Sequence, residues 1–203
     1  SCLSDLLRSS TVRDSRALYR ALRASLSSKL GRLRPGVGIP DVFDPEADRV
    51  LEEEGISLHK VLEVSSEWDL VSRELCESLR LSSEVGLPRL EEELEEHGSL
   101  NAAVVNTYLA LLSEARDTHV ARSWGLRKTP YIPDAVLEGL EMAEELSKRA
   151  GEVLALGGAS TPKGLKALWE LDAELRSKGL NPGSCADLTA CSLMLALLTW
   201  LRP

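Results

Sequence analysis

Apolar residues recur along this chain at spacings of three and four, and no stretch alternates apolar with polar residues between turn signals. The first pattern lays an apolar stripe along a helix; the second, which a half-buried strand needs, is missing. Leu, Ala, Glu and Arg dominate over Val, Ile, Thr, Tyr and Phe, and aromatic residues make up only 4%. That balance favours helices over strands. The expectation is an all-α fold: a single-domain bundle of about eight helices over 1–203, with short connections that suit antiparallel neighbours.

Asp14 caps a first helix whose face is Leu18, Ala21, Leu22 and Leu26, and Gly31 ends it. Three prolines and two glycines between Arg34 and Pro45 exclude a regular element and predict a surface loop able to lie over a site. A second helix is expected over 57–79, with Leu58, Val61, Leu62, Val64, Trp68, Val71 and Leu75 on one broad face and Glu67, Asp69, Arg73 and Glu74 opposite. Pro88 opens a charged helix that stops at Gly98, and Ser99 caps the next. Pro133 with Asp134, Thr161 with Pro162, and Ser184 start the last three.

A net charge of −8 argues against a protein that neutralises many nucleic-acid phosphates. The longest nearly apolar stretch, Ala190 to Leu201, falls short of the ~18 residues of a membrane span and reads as a buried core helix, so no membrane partner is expected. Cys2, Cys76, Cys185 and Cys191 show neither C-x-x-C spacing nor the density of a disulfide scaffold, which points to reduced thiols in a cytoplasm.

His59, His97 and His119 are scattered, with no HExxH and no Cys/His cluster, and neither a nucleophile elbow nor a Gly-rich phosphate loop is present. Two acidic motifs remain, DTHVARSWG at 117–125 and LNPGSCADLTA at 180–190. In the second, Asn181, Pro182 and Gly183 form a turn and Ser184 stands at an N-cap, where free amides and the helix dipole favour an anion. Asp187 follows at the capping-box position, and S-x-x-D is equally a plain helix start. Asp117 with Thr118 is likewise readable as a cap, and Asp69 with Arg73 as a surface i,i+4 pair.

Together these motifs resemble the triphosphoribosyl-dephospho-CoA synthases, which make the prosthetic-group precursor of citrate lyase and malonate decarboxylase. That family's D-T-N-x-x-x-R-x-G, G-G-x-x-T-P, L-D and L-x-P-G-x-x-A-D-L elements are matched here by DTHVARSWG, by GGAST with Pro162, by Leu171-Asp172 and by LNPGSCADL. SSEWDLVSRE at 65–74 and EVGLP at 84–88 are also similar, and the resemblance runs from about 11 to 201. His119 departs from the usual Asn, and Trp124 from the first of two glycines. The family's N-terminal motifs are absent, so the chain resembles roughly the C-terminal two-thirds of the family, and an upstream segment or partner chain is expected to complete the site.

The resemblance implies transfer of the triphosphoribosyl group of ATP to dephospho-CoA or a related nucleotide, with release of adenine. Such a displacement needs carboxylates and cations together. It implies Asp117 and Asp187 as Mg²⁺ ligands or, for one of them, as base. Arg122, Asn181, Gly183, Ser184 and Arg73 would hold phosphate, with Asp69, Glu74, Thr118 and His119 in support. The competing classes are a non-catalytic nucleotide-binding helical protein and a plain interaction module whose motifs are only caps. The thiol reading is tested by titration under denaturing conditions without reductant: all four cysteines should react as free thiols, and a bridge between Cys185 and Cys191 would contradict it.

Overall fold

A computed structural model describes residues 2–25 and 30–200; Leu26, placed above on the first helix's face, lies outside them. The described residues form eleven α-helices, one π-helical turn over Ser82–Gly86 and one 3-10 turn over Gly158–Ser160, with a single isolated β-bridge and no sheet. The helices are α1 Cys2–Arg8, α2 Val12–Ser25, α3 Ala47–Glu53, α4 Leu58–Ser65, α5 Leu70–Cys76, α6 Leu87–His97, α7 Leu100–Glu114, α8 Thr118–Gly125, α9 Ile132–Ala155, α10 Pro162–Lys178 and α11 Gly183–Trp200. The all-α expectation holds, with more and shorter helices than eight.

Local capping chemistry explains most boundaries. Ser57, Ser99 and Thr161 accept from the amides of Lys60, Ala102 and Gly164, and Gly98 ends α6 in the left-handed conformation. Asp14 lies inside the first turn of α2, where it accepts from the amide and hydroxyl of Thr11 at 2.7 and 2.9 Å, so the helix starts earlier than expected. The helix expected over 57–79 is two. Asp69 accepts from the Ser72 amide at 2.8 Å and restarts the chain as α5, while Arg73 Nε donates to the Ser66 carbonyl at 3.0 Å and closes α4. Two caps inside one apolar stripe outweigh its periodicity.

The main core gathers Leu109, Leu111 and Leu112 of α7, Val120 of α8, Ala143 of α9 and Leu188 of α11. A smaller cluster of Tyr19, Ile39, Leu51 and Val61 holds the N-terminal helices, and Trp68 packs against both. The 34–45 loop is fastened rather than free: the Tyr19 hydroxyl donates to the Pro40 carbonyl at 2.8 Å, and Arg34 pairs with Asp134 and stacks on Tyr131. By length and composition α11 suffices to cross a membrane, contrary to the reading of its apolar run as too short. In the fold one face packs against α5, α6, α7 and α8, while Met194, Leu197 and Leu198 stay exposed, so it is only half a core helix.

α8 and α9 touch backbone to backbone. A Cβ at Gly125 would lie 1.8 Å from the Ala135 carbonyl oxygen, and one at Gly139 2.0 Å from that of Ala121. Hence Gly139→Ala should lose about 1–3 kcal/mol or more in urea unfolding, overpacking outweighing the ~1 kcal/mol gain in helix propensity. Gly151→Ala, whose Cβ would meet Ser113 at an ordinary 3.7 Å, should hold or gain stability.

Candidate active site

Asp117 stands immediately before α8 and is 0% exposed. Its Oδ1 accepts from the Val120 amide at 3.0 Å, in the first turn of α8, and its Oδ2 from the Cys185 amide at 2.8 Å, in the first turn of α11. One carboxylate therefore caps two helices whose positive ends both point at it. Burial raises its pKa, and the hydrogen bonds from Cys185 and Val120 offset this only in part.

The residues that follow extend the junction. Thr118 Oγ1 accepts from the Leu70 amide at 2.9 Å, fastening α5, and lies 3.3 Å from Ser184 Oγ. Ser184 Oγ accepts from the His119 amide at 3.3 Å, and a Cβ at Gly183 would stand 2.6 Å from His119 Nδ1. The motifs at 117–125 and 181–187, far apart in sequence, thus interlock side by side.

The other expected residues divide. Ser184 is buried inside the first turn of α11 rather than at its cap, and Asp117, from just before α8, accepts from the Cys185 amide there. The Gly183 amide, expected to face a phosphate, donates to the Asn181 carbonyl at 2.8 Å. Asp187 is no capping-box acid: it is exposed, as is Asn181, and its carboxylate has no hydrogen bond or ion pair among the described residues. Arg122 is half-buried and equally unpaired. Asp69 and Arg73 do not pair with each other, each serving a helix end instead. Glu74 is buried, accepting from the amides of Leu81 and Ser82 at 3.0 and 2.6 Å where the chain turns into the π segment.

Periodicity hid several residues. Tyr108, whose spacing puts it on the apolar face of α7, has its hydroxyl pKa raised by burial first, then by the nearby Cys185, Asp117 and Asp172. Asp172, from the Leu-Asp pair, is thereby brought into the field of the same junction. The GGAST stretch is structural: Asn106 accepts from the Ala159 amide at 2.7 Å, and its Nδ2 donates to the buried Glu93 at 2.6 Å and to Ser160 at 3.0 Å. Arg73 and Thr118 line a cleft of about 480 Å³ together with Trp68, Arg80 and Arg116, the last of which directly precedes the first motif. No group of three or more His, Cys, Asp or Glu side chains that could hold a metal ion occurs among the described residues.

The family model described as ATP:dephospho-CoA triphosphoribosyl transferase (CitG) matches residues 1–203. A 2-(5''-triphosphoribosyl)-3'-dephosphocoenzyme-A synthase from Klebsiella pneumoniae is 31% identical over 110 residues, 54% of this chain and 32% of that protein. The protein of the same name from Escherichia fergusonii is 29% identical over 112 residues, 55% of this chain and 32% of its own length. The chain spans about a third of the length of the curated relatives it matches. A crystal structure of a candidate triphosphoribosyl-dephospho-CoA synthase from Archaeoglobus fulgidus aligns with TM-score 0.68 at 28% identity, over 98% of this chain and 72% of that one.

Removing Asp117 leaves two helix starts without an acceptor. Asp117→Ala should cost roughly 1–4 kcal/mol in urea unfolding, from two caps at about 0.5–2 kcal/mol each. The pH dependence has a defined sign. A carboxyl with a raised folded pKa stabilises fully below its ordinary value of 3.8, and that stability is lost as pH rises through the folded value. Relative to Asp117→Asn, the wild type should therefore be at its most stable below pH 3.8 and decline above it.

Proposed function

The chain belongs to the ATP:dephospho-CoA triphosphoribosyl transferase family, and from that premise we propose that it takes part in transferring the triphosphoribosyl group of ATP to dephospho-CoA. The bond from the ribose anomeric carbon to adenine breaks, adenine leaves with the electron pair and gains a proton, and an acceptor hydroxyl oxygen forms the new bond and loses its own. The observation that carries this reading to particular residues is the Asp117 carboxylate joining the first turns of α8 and α11, which sets the family's two acidic motifs against each other.

In this reading Asp117 is a positioning residue. It does not suit a magnesium ion, because both its oxygens are engaged by amides in a site closed to water. Asp187, with a carboxylate open to solvent, is the better partner for Mg²⁺ arriving with ATP, which needs only one or two protein carboxylates beside the phosphates. Arg122, an unpaired cation one turn into α8, would take phosphate, and His119 would contact substrate beside it. The free thiols of Cys76, Cys185 and Cys191 suit a reducing compartment such as the cytoplasm.

The test is free adenine measured by chromatography after incubation with ATP, Mg²⁺ and dephospho-CoA, using the intact gene product. Adenine should accumulate only when both nucleotides are present; none from active-folded protein would favour a nucleotide-binding protein without catalysis. Arg122→Ala should lower kcat/KM for ATP roughly tenfold to a hundredfold, the range of one charged hydrogen bond, with the melting temperature held. Asp187→Ser should weaken calorimetric MgATP binding without loss of stability, and unchanged affinity would return Asp187 to a merely exposed helix position.

A further inference from the structure

We propose that the cleft bounded by α5, α8 and α9 binds the magnesium diphosphate of a nucleotide. Three arginines line it: Arg73 from α5, Arg80 from the helical residues that lead into the π segment, and Arg116 from the link between α7 and α8. Arg73 closes α4, but the fold asks nothing of Arg80 and Arg116 here, since neither closes a buried ion pair. Arg80 pairs with Glu77 and Arg116 with Glu144, both at 2.9 Å, and all four side chains are between 40% and 56% exposed. Exposed pairs of this kind contribute little to stability, so an arriving phosphate displaces them at little cost. Arg73 is held by the carbonyls of Ser66 and Glu67, which orients it while leaving other N–H groups unused.

The remaining lining narrows the ligand class. Glu67 and Glu114 also border the cleft, exposed and without ion pairs among the described residues, so a bare polyanion would meet two carboxylates as well as three cations. A phosphate complexed with a divalent cation carries both signs and matches both sets. The floor is apolar, formed by Leu70, Leu81, Val136 and Leu140, with Trp68 half-buried beside it, which suits a flat heterocycle rather than inorganic phosphate alone. At about 480 Å³ the space is of the size that takes a small-molecule ligand. Thr118, which joins this cleft to the Asp117 junction, puts the two regions within one residue of each other along the chain.

The inference deepens the transferase reading, which requires two phosphate-bearing nucleotides, and rests on it only for the ligand's identity. The probe is MgADP, titrated calorimetrically into the wild type, Arg80→Ala and Arg116→Ala, each checked by thermal melting. Binding should weaken about tenfold or more in both variants and vanish when EDTA removes the magnesium. Affinity unchanged in both cleft variants would overturn the assignment, as would equal binding in EDTA. Competition identifies the source of the diphosphate: displacement of MgADP by ATP or by dephospho-CoA supports the site, and displacement by neither overturns it. Arginine-dependent MgADP binding without any adenine release would sink the transferase reading and leave this site in place. Adenine release with arginine-independent binding would do the reverse.

Discussion

A single buried carboxylate stands between the first turns of two helices, and the rest of the site is arranged around that contact. Each helix start presents amides that have no partner within the helix, together with the positive end of its dipole. Asp117 answers both at once, from a position closed to water. Burial of the charge opposes folding, as the raised pKa records, yet an apolar residue there would orphan two amides in the interior. Thr118 and His119 follow with no freedom of their own and carry α5 and the 181–184 turn into the junction.

This arrangement sorts the letters of the motifs by physical task. Gly125 ends its motif because the α9 backbone passes where a Cβ would be, and Gly158 is the second glycine of its own because a Cβ there would lie 2.1 Å from the Asn106 side-chain oxygen. Asp117, Thr118, Thr161 and Leu171 likewise act within the fold, as caps or core. Arg122 and Asp187 are left over: charged, accessible and without partners among the described residues. A motif can thus be read in full and still have most of its letters spent on holding the backbone, with chemistry left to the few that packing does not use.

Charge follows a similar division. The chain is acidic overall, yet the cleft beside Thr118 collects three arginines and two unpaired glutamates over an apolar floor. Net charge describes the field far from the molecule, whereas a small ligand responds to the groups within a few ångströms of it. The acidic balance that speaks against a nucleic-acid partner therefore sits comfortably with a local phosphate site.

Helix identity and most helix starts were determined by the sequence alone, because propensity and capping act between residues three or four apart: Ser57, Ser99 and Thr161 each cap the helix they announce, and Gly98 ends α6. The same local chemistry went unread at Asp69, where an apolar stripe continuing across two caps concealed a turn. Only the tertiary structure decided that Asp117 caps α11 across 68 residues, that Ser184 lies inside the first turn rather than at its cap, and that Arg73, Arg80 and Arg116 share one cleft. Periodicity tells which face of a helix avoids water and is silent on which other face it meets. Contacts between helices depend on how whole faces pack, a property of the assembled chain that no spacing along it encodes.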